Sequence, residues 1–190
     1  MQITKTKLEG VVIIEPKVFG DDRGYFLETY NKEIFEEAIG YSVNFIQDNE
    51  SKSSFGVLRG LHFQLPPFSQ SKLVRVIEGS VLDVAVDMRK GSPTFGQYVA
   101  VELSAENKQQ LFVPRGFAHG FLVTSETAIF AYKVDNYYAP DHDRGVIFND
   151  TDIDIDWGID PNLLLLSDKD NNLPSLKNAE VFDFNKDLYE

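Results

Sequence analysis

The chain has no cysteine among its 190 residues. Disulfides, thiol catalysis and thiolate metal sites are therefore excluded. Histidine is almost as scarce, at three. No two histidines stand two residues apart, and the residue two beyond His62 is Gln64, so no metal cofactor is expected. Basic residues are outnumbered, 18 Lys and Arg against 30 Asp and Glu, for a net charge of -12. Such a surface repels nucleic-acid polymers and anionic membranes, although a local basic cluster can still hold a small phosphate-bearing ligand. No apolar run approaches the ~20 residues that span a bilayer. The start, Met1-Gln2-Ile3-Thr4-Lys5, lacks the apolar core of a secretory signal. The expectation is a soluble cytoplasmic protein with neither nucleic acid nor membrane as partner.

What is present is a globular composition, 43% hydrophobic and 13% aromatic, and a length that suits one domain over residues 1–190. Short β-type runs alternate with glycine and proline turns: 11–14, 73–77, 81–88, 98–103, 110–113, 119–124 and 128–134. This rhythm predicts an all-β sandwich or barrel, with a core at about 40–148 and the N-terminal strands and C-terminal loops and short helices packed on it. One helix is expected, Lys32 to Ile39, capped by Asn31 and ended by Gly40. Residues 81–88 alternate as in a sheet with two unlike faces. From Asn149 on, the chain reads as loops anchored by Trp157.

Val57-Leu58-Arg59-Gly60-Leu61-His62-Phe63-Gln64 sets a guanidinium and an imidazole in an apolar strand, with Lys72 shortly after. A buried strand has little use for charge unless it does something. Guanidinium suits phosphate, and imidazole suits proton transfer near neutral pH. Arg59 and His62 are three apart, so a regular strand points them to opposite faces; one shared site predicts a bulge at Gly60. Tyr132 has the parity of Phe130 and Val134 and can face the interior. Asp83 suits either a site carboxylate or a structural acceptor.

Pro114-Arg115-Gly116-Phe117-Ala118-His119-Gly120-Phe121 resembles the second motif of cupin-type double-stranded β-helices, and Gly79 fits the first. Residues 21–28, 45–49, 56–64, 72–76, 113–120, 132–134, 137–140 and 166–170 together resemble the dTDP-4-dehydrorhamnose 3,5-epimerase family, in order and over nearly the whole length. The resemblance implies a cupin jelly roll with a few short peripheral helices. It implies a homodimer acting without cofactor on a dTDP-linked 4-keto sugar in deoxysugar biosynthesis. It implies His62 as base with Asp168 accepting its second N–H, Lys72 at the enolate oxygen and Tyr132 as acid. Arg23, Arg59 and Lys72 would meet the diphosphate and adjacent sugar. Gln47, Asn49 and Glu28 would be polar partners, and Phe19, Phe26 and Tyr138 would offer flat surfaces to the thymine. His119 would support the sugar. Phe19, Arg23 and Glu28 would complete the neighbouring subunit's site. Trp157-Gly158 stands where family members often have Trp-Pro. Two alternatives stay open: a single-centre epimerase of another nucleotide-linked 4-keto sugar, and a non-catalytic sugar-nucleotide-binding cupin.

Overall fold

The computed structural model describes residues 1–189. In chain order the elements are β1 (Gln2–Lys5), β2 (Val12–Glu15), β3 (Val18–Asp21), β4 (Gly24–Leu27), α1 (Lys32–Ile39), β5 (Gln47–Ser54), β6 (Leu58–Gln64), β7 (Lys72–Glu78) and β8 (Ser80–Asp87). They continue with β9 (Arg89–Lys90), β10 (Tyr98–Ser104), β11 (Gln110–Val113), β12 (Phe117–Val123), β13 (Thr127–Val134), β14 (Asp143–Gly145), α2 (Asp168–Asn171) and β15 (Phe182–Asp183). A six-stranded sheet runs β1-β2-β11-β7-β13-β5, and a five-stranded sheet runs β10-β8-β12-β6-β14. Both are antiparallel throughout. Among the described residues no helix is long and apolar enough to cross a membrane.

The sheets close on one core, where Val74, Val76, Leu111 and Phe130 of the larger sheet meet Val81, Ala85, Phe121 and Val123 of the smaller. This is the jelly-roll sandwich that short alternating strands predict. Outside the larger sheet, α1 seats Phe35 on Phe112, with ring centroids 5.0 Å apart and planes at 82°. The helix bounds are those its caps dictate. Asn31 Oδ1 accepts from Ile34 N–H, and Gly40 closes the helix in the left-handed region at φ 86°.

Strand β8 has two unlike faces, and both are largely buried. Val81 and Ala85 join the core between the sheets, while Val84, Val86 and Met88 are equally buried on the other side. There the C-terminal segment covers them with Ile153, Trp157 and Phe182. Trp157 Nε1–H donates to the Phe148 carbonyl at 2.9 Å, which pins the cover. Strand β5 is not visible in hydrophobic periodicity, because Gln47-Asp48-Asn49-Glu50-Ser51-Lys52-Ser53-Ser54 carries no apolar residue. It is a strand because β13 pairs with it along its whole length.

The bulge expected at Gly60 is present. From His62 to Arg59 on β6 is three residues, whereas the matching step on β12, His119 to Phe121, is two. The extra residue turns Arg59 toward the same cavity as His62. Gly60 has φ +133°, and a Cβ built there lies 2.5 Å from Gly120 Cα. Neither the backbone angle nor the space admits a side chain. Gly60→Ala is expected to cost about 2–4 kcal/mol and to lower Tm by roughly 5–15 °C in thermal denaturation. Gly20→Ala is the contrast: its Cβ meets only Gly24 O, at 3.7 Å, and Tm is expected to move by no more than about 1 °C.

Candidate active site

A two-lobed cavity opens between the sheets. One lobe, about 360 Å³, is lined by Arg59, His62, Lys72, His119, Tyr132 and Asp170 among others. The other, about 380 Å³, shares His62, Lys72, Tyr132 and Lys169 and adds Gln47, Asn49, Tyr138 and Asp143 among others. His62 stands on β6 of the smaller sheet and Tyr132 on β13 of the larger. Imidazole and phenol therefore belong to opposite walls of one space.

His62 Nε2–H donates to Asp170 Oδ1 at 2.5 Å, which leaves Nδ1 as the free ring nitrogen. Asp170 is held in turn by Ser167, whose hydroxyl donates to Oδ2 at 2.8 Å and accepts from the Asp170 N–H at 3.1 Å. Burial by itself would raise the Asp170 carboxyl, but the hydrogen bonds from His62 and Ser167 outweigh it and hold the group below its ordinary range. The carboxylate stays ionised, fixes the imidazole tautomer, and stabilises the ring when it takes a proton.

Lys72 begins β7 and is half-buried. Burial lowers its ammonium to about 8, partly offset by the charges of Asp143 and Asp83 and reinforced by Lys169. The phenol of Tyr132 is pushed above its ordinary value by burial, while the Arg59 charge pulls it back. At neutral pH it therefore carries its proton. Arg59 is exposed toward the cavity and donates through Nε and Nη2 to Ser53 Oγ, at 3.2 Å each. His119 lies directly across from His62 in the β12–β6 register. It is buried, and its Nε2–H donates to Asp83 at 3.0 Å to each oxygen. Asp83, fully buried, is thus the partner that fixes this second imidazole. Among the described residues no group of three or more His, Asp or Glu could hold a metal ion.

The family model for dTDP-4-dehydrorhamnose 3,5-epimerase matches residues 5–178. The chain belongs to that family. The dTDP-4-dehydrorhamnose 3,5-epimerase of Shigella flexneri is 54% identical over 182 residues, 96% of this chain and 99% of its own. The crystal structure of the Elizabethkingia anophelis NUHP1 enzyme superposes with a TM-score of 0.91 at 56% identity, covering 94% of this chain and 97% of that one. A dTDP-6-deoxy-D-glucose-3,5-epimerase from Legionella pneumophila Philadelphia 1, crystallised with dTDP-4-keto-L-rhamnose, gives 0.93 at 45% identity over 97% and 99%.

Within this family member, one expected contact belongs to a different residue. Asp168 does not meet His62: it is exposed in the first turn of α2, and Asp170 makes the hydrogen bond. The reason is the helix start. Ser167 is the N-cap, so Asp170 falls at the third helical position, where a capping-box side chain turns back toward the cap. The pattern Ser-x-x-Asp in Ser167-Asp168-Lys169-Asp170 carries that signal.

The structure brings His62, Lys72, Tyr132, Arg59, Gln47, Asn49, His119 and Tyr138 to the cavity. It does not bring Phe19, Arg23 or Phe26 there. These line a shallow groove on the β3–β4 hairpin, where Arg23 pairs with Asp21 at 2.5 Å in full solvent. Such an exposed pair is screened by water and adds little to stability. Glu28 is exposed just after that hairpin. Lys169 was not anticipated. It lines both lobes and pairs with Asp143, which also accepts from the Tyr138 hydroxyl at 3.0 Å.

Asp170→Asn is expected to lower kcat about 10²–10⁴-fold, since the amide cannot fix the tautomer or support the imidazolium. Asp168→Asn is expected to stay within about twofold of wild type. Steady-state kinetics of the two variants side by side decide the assignment.

Proposed function

We propose that the protein inverts C3 and C5 of dTDP-4-dehydro-6-deoxy-D-glucose to give dTDP-4-dehydro-L-rhamnose. The observation that carries this reading is the pairing of His62 and Tyr132 across one cavity from facing sheets. Inversion requires a base on one side of a carbon and an acid on the other. The C4 ketone acidifies the C–H bonds at C3 and C5. His62 removes the proton, and the electron pair moves to the carbonyl oxygen as an enolate beside Lys72. Tyr132 then returns a proton from the opposite face, and solvent resets both groups. The same set acts at C3 and C5 in turn. Protons move and no electrons are gained or lost, so the chemistry asks for no redox partner.

Arg59 suits the diphosphate, and Tyr138, exposed beside Asp143, suits the base. We extend the reading to a homodimer in the cytoplasm, where dTDP-sugars are made from nucleoside triphosphates. The hairpin supports the dimer. It projects Val18, Phe19, Tyr25 and Phe26 into solvent, Phe26 at 70% exposure, a patch that a partner's nucleotide pocket would cover. Phe19, Arg23 and Glu28 then complete the site of the other subunit.

Incubation with the 4-keto sugar in D2O tests the chemistry. Deuterium at both C3 and C5, read by NMR, is the expected result. Incorporation at one centre only would indicate a single-centre epimerase, and none would indicate a binding protein. Tyr132→Phe is expected to retain solvent exchange while net inversion falls at least about 10²-fold. Because Lys72 acts as a cation and loses its proton at about 8, kcat is expected to fall as pH rises through that value. The dimer is tested in trans. His62→Ala and Arg23→Ala chains, each inactive alone, are expected to recover about a quarter of wild-type turnover when co-assembled at random, because each mixed dimer then holds one intact site. No recovery would mean that Arg23 serves its own chain.

A further inference from the structure

The C-terminal segment 179–189 lies beyond the residues that the family model matches, yet it reaches the residue next to Lys72. Its path is well defined. Strand β15 pairs in parallel with β9. Phe182 N–H donates to the Met88 carbonyl at 3.0 Å, and the Phe182 ring packs on Phe63, beside His62, with centroids 5.3 Å apart. Farther along, the Leu188 carbonyl accepts from Arg115 Nη1 at 2.6 Å, and the Arg115 guanidinium sits 4.9 Å from the Tyr189 ring centroid.

The Tyr189 hydroxyl ends this path on Ser71. It is 2.8 Å from Ser71 Oγ, accepts from Arg115 N–H at 3.2 Å and lies 3.3 Å from Tyr41 Oη. Ser71 is fully buried and directly precedes Lys72. Its N–H donates to Asp135 Oδ1 at 2.6 Å, and Asp135 Oδ2 accepts from Arg115 Nε at 3.0 Å. Asp135 follows the last residue of β13, and Lys72 is paired with Val134 on that strand and with Val113 on β11. The three strand ends around Lys72 are thus tied together by Ser71, Asp135, Arg115 and Tyr189. Nothing in the acid–base scheme uses these groups.

We propose that Tyr189 is a positioning residue: docked on Ser71 and Arg115, it fixes the strand end that carries Lys72 and so aims the ammonium at the enolate oxygen. Ser71 anchors this contact from the buried side, while Tyr189 covers it from the surface at 37% exposure. Removing the hydroxyl takes a protein partner from the buried Ser71 Oγ and from Arg115 N–H and loosens the strand end. Loosening it admits water to Lys72, whose lowered proton affinity comes from burial and is modulated by Asp143, Asp83 and Lys169. Water there restores the ordinary, more basic amine.

The proposal rests on the reading of Lys72 above, and Tyr189→Phe and Tyr189→Ala in the full chain test it, with wild type run alongside. Expected are a kcat lowered about fivefold in Tyr189→Phe and tenfold or more in Tyr189→Ala, with KM and dTDP affinity within about twofold of wild type. The basic limb of the kcat–pH profile is expected to move upward from about pH 8. Kinetic parameters and a pH limb equal to wild type, with only Tm lowered, would make the segment a structural cover and overturn the proposal. So would a loss confined to KM. Absence of C3 and C5 exchange in wild type itself would instead strike the proposed function, and the positioning role with it. Tyr189→Phe keeps the ring on Arg115, so an effect there survives any folding defect of the alanine variant.

Discussion

The close approach of β6 and β12 at Gly60 and Gly120 is the constraint on which the site depends. A Cβ on either glycine would fall within 2.7 Å of the other strand's backbone, so only two glycines let the strands meet there. That approach accommodates one extra residue in β6 and brings Arg59 and His62 to the same cavity. Without it the guanidinium and the imidazole would stand on opposite faces of the sheet, and a phosphate group and an acidic C–H bond of one substrate could not be met together.

Electrostatics then decides how an acidic protein handles an anionic ligand. The whole chain carries -12, but Arg59, Lys72 and Lys169 converge on one cavity. Three of the nearby carboxylates are committed: Asp170 to His62, Asp83 to His119, Asp143 to Lys169 and Tyr138. Each committed carboxylate orients a partner rather than facing the ligand. The two imidazoles sit across from each other on adjacent strands and both line the cavity, His62 held by Asp170 and His119 by the fully buried Asp83.

The jelly roll alone would leave the smaller sheet half covered. Residues 146–182 close that face with Val146, Ile153, Trp157 and Phe182, and α2 in the same stretch delivers Asp170 and Lys169. Covering the sheet and completing the site are therefore one structural task. The same continuity takes the chain on to Tyr189 and the strand ends beside Lys72.

Period-two alternation, turn residues and caps by themselves determined the all-β class, the helix at Lys32–Ile39 and most strand positions, because these are local properties of the backbone. The placing of Arg59, His62, Lys72 and Tyr132 together was legible from residue type, parity and family resemblance, and the bulge followed from counting residues between two charges. Strand β5 was not legible: its polar side chains give no periodicity, and only pairing with β13 makes it a strand. The choice of Asp170 over Asp168 was decided by where α2 begins, a step of about half a turn that moves a carboxylate from solvent to the imidazole. Tertiary structure alone separated the hairpin residues Phe19, Arg23 and Phe26 from their own chain's cavity. It also brought Tyr189 to Ser71 across 118 residues, since contact between distant segments depends on how layers stack and leaves no mark in local sequence.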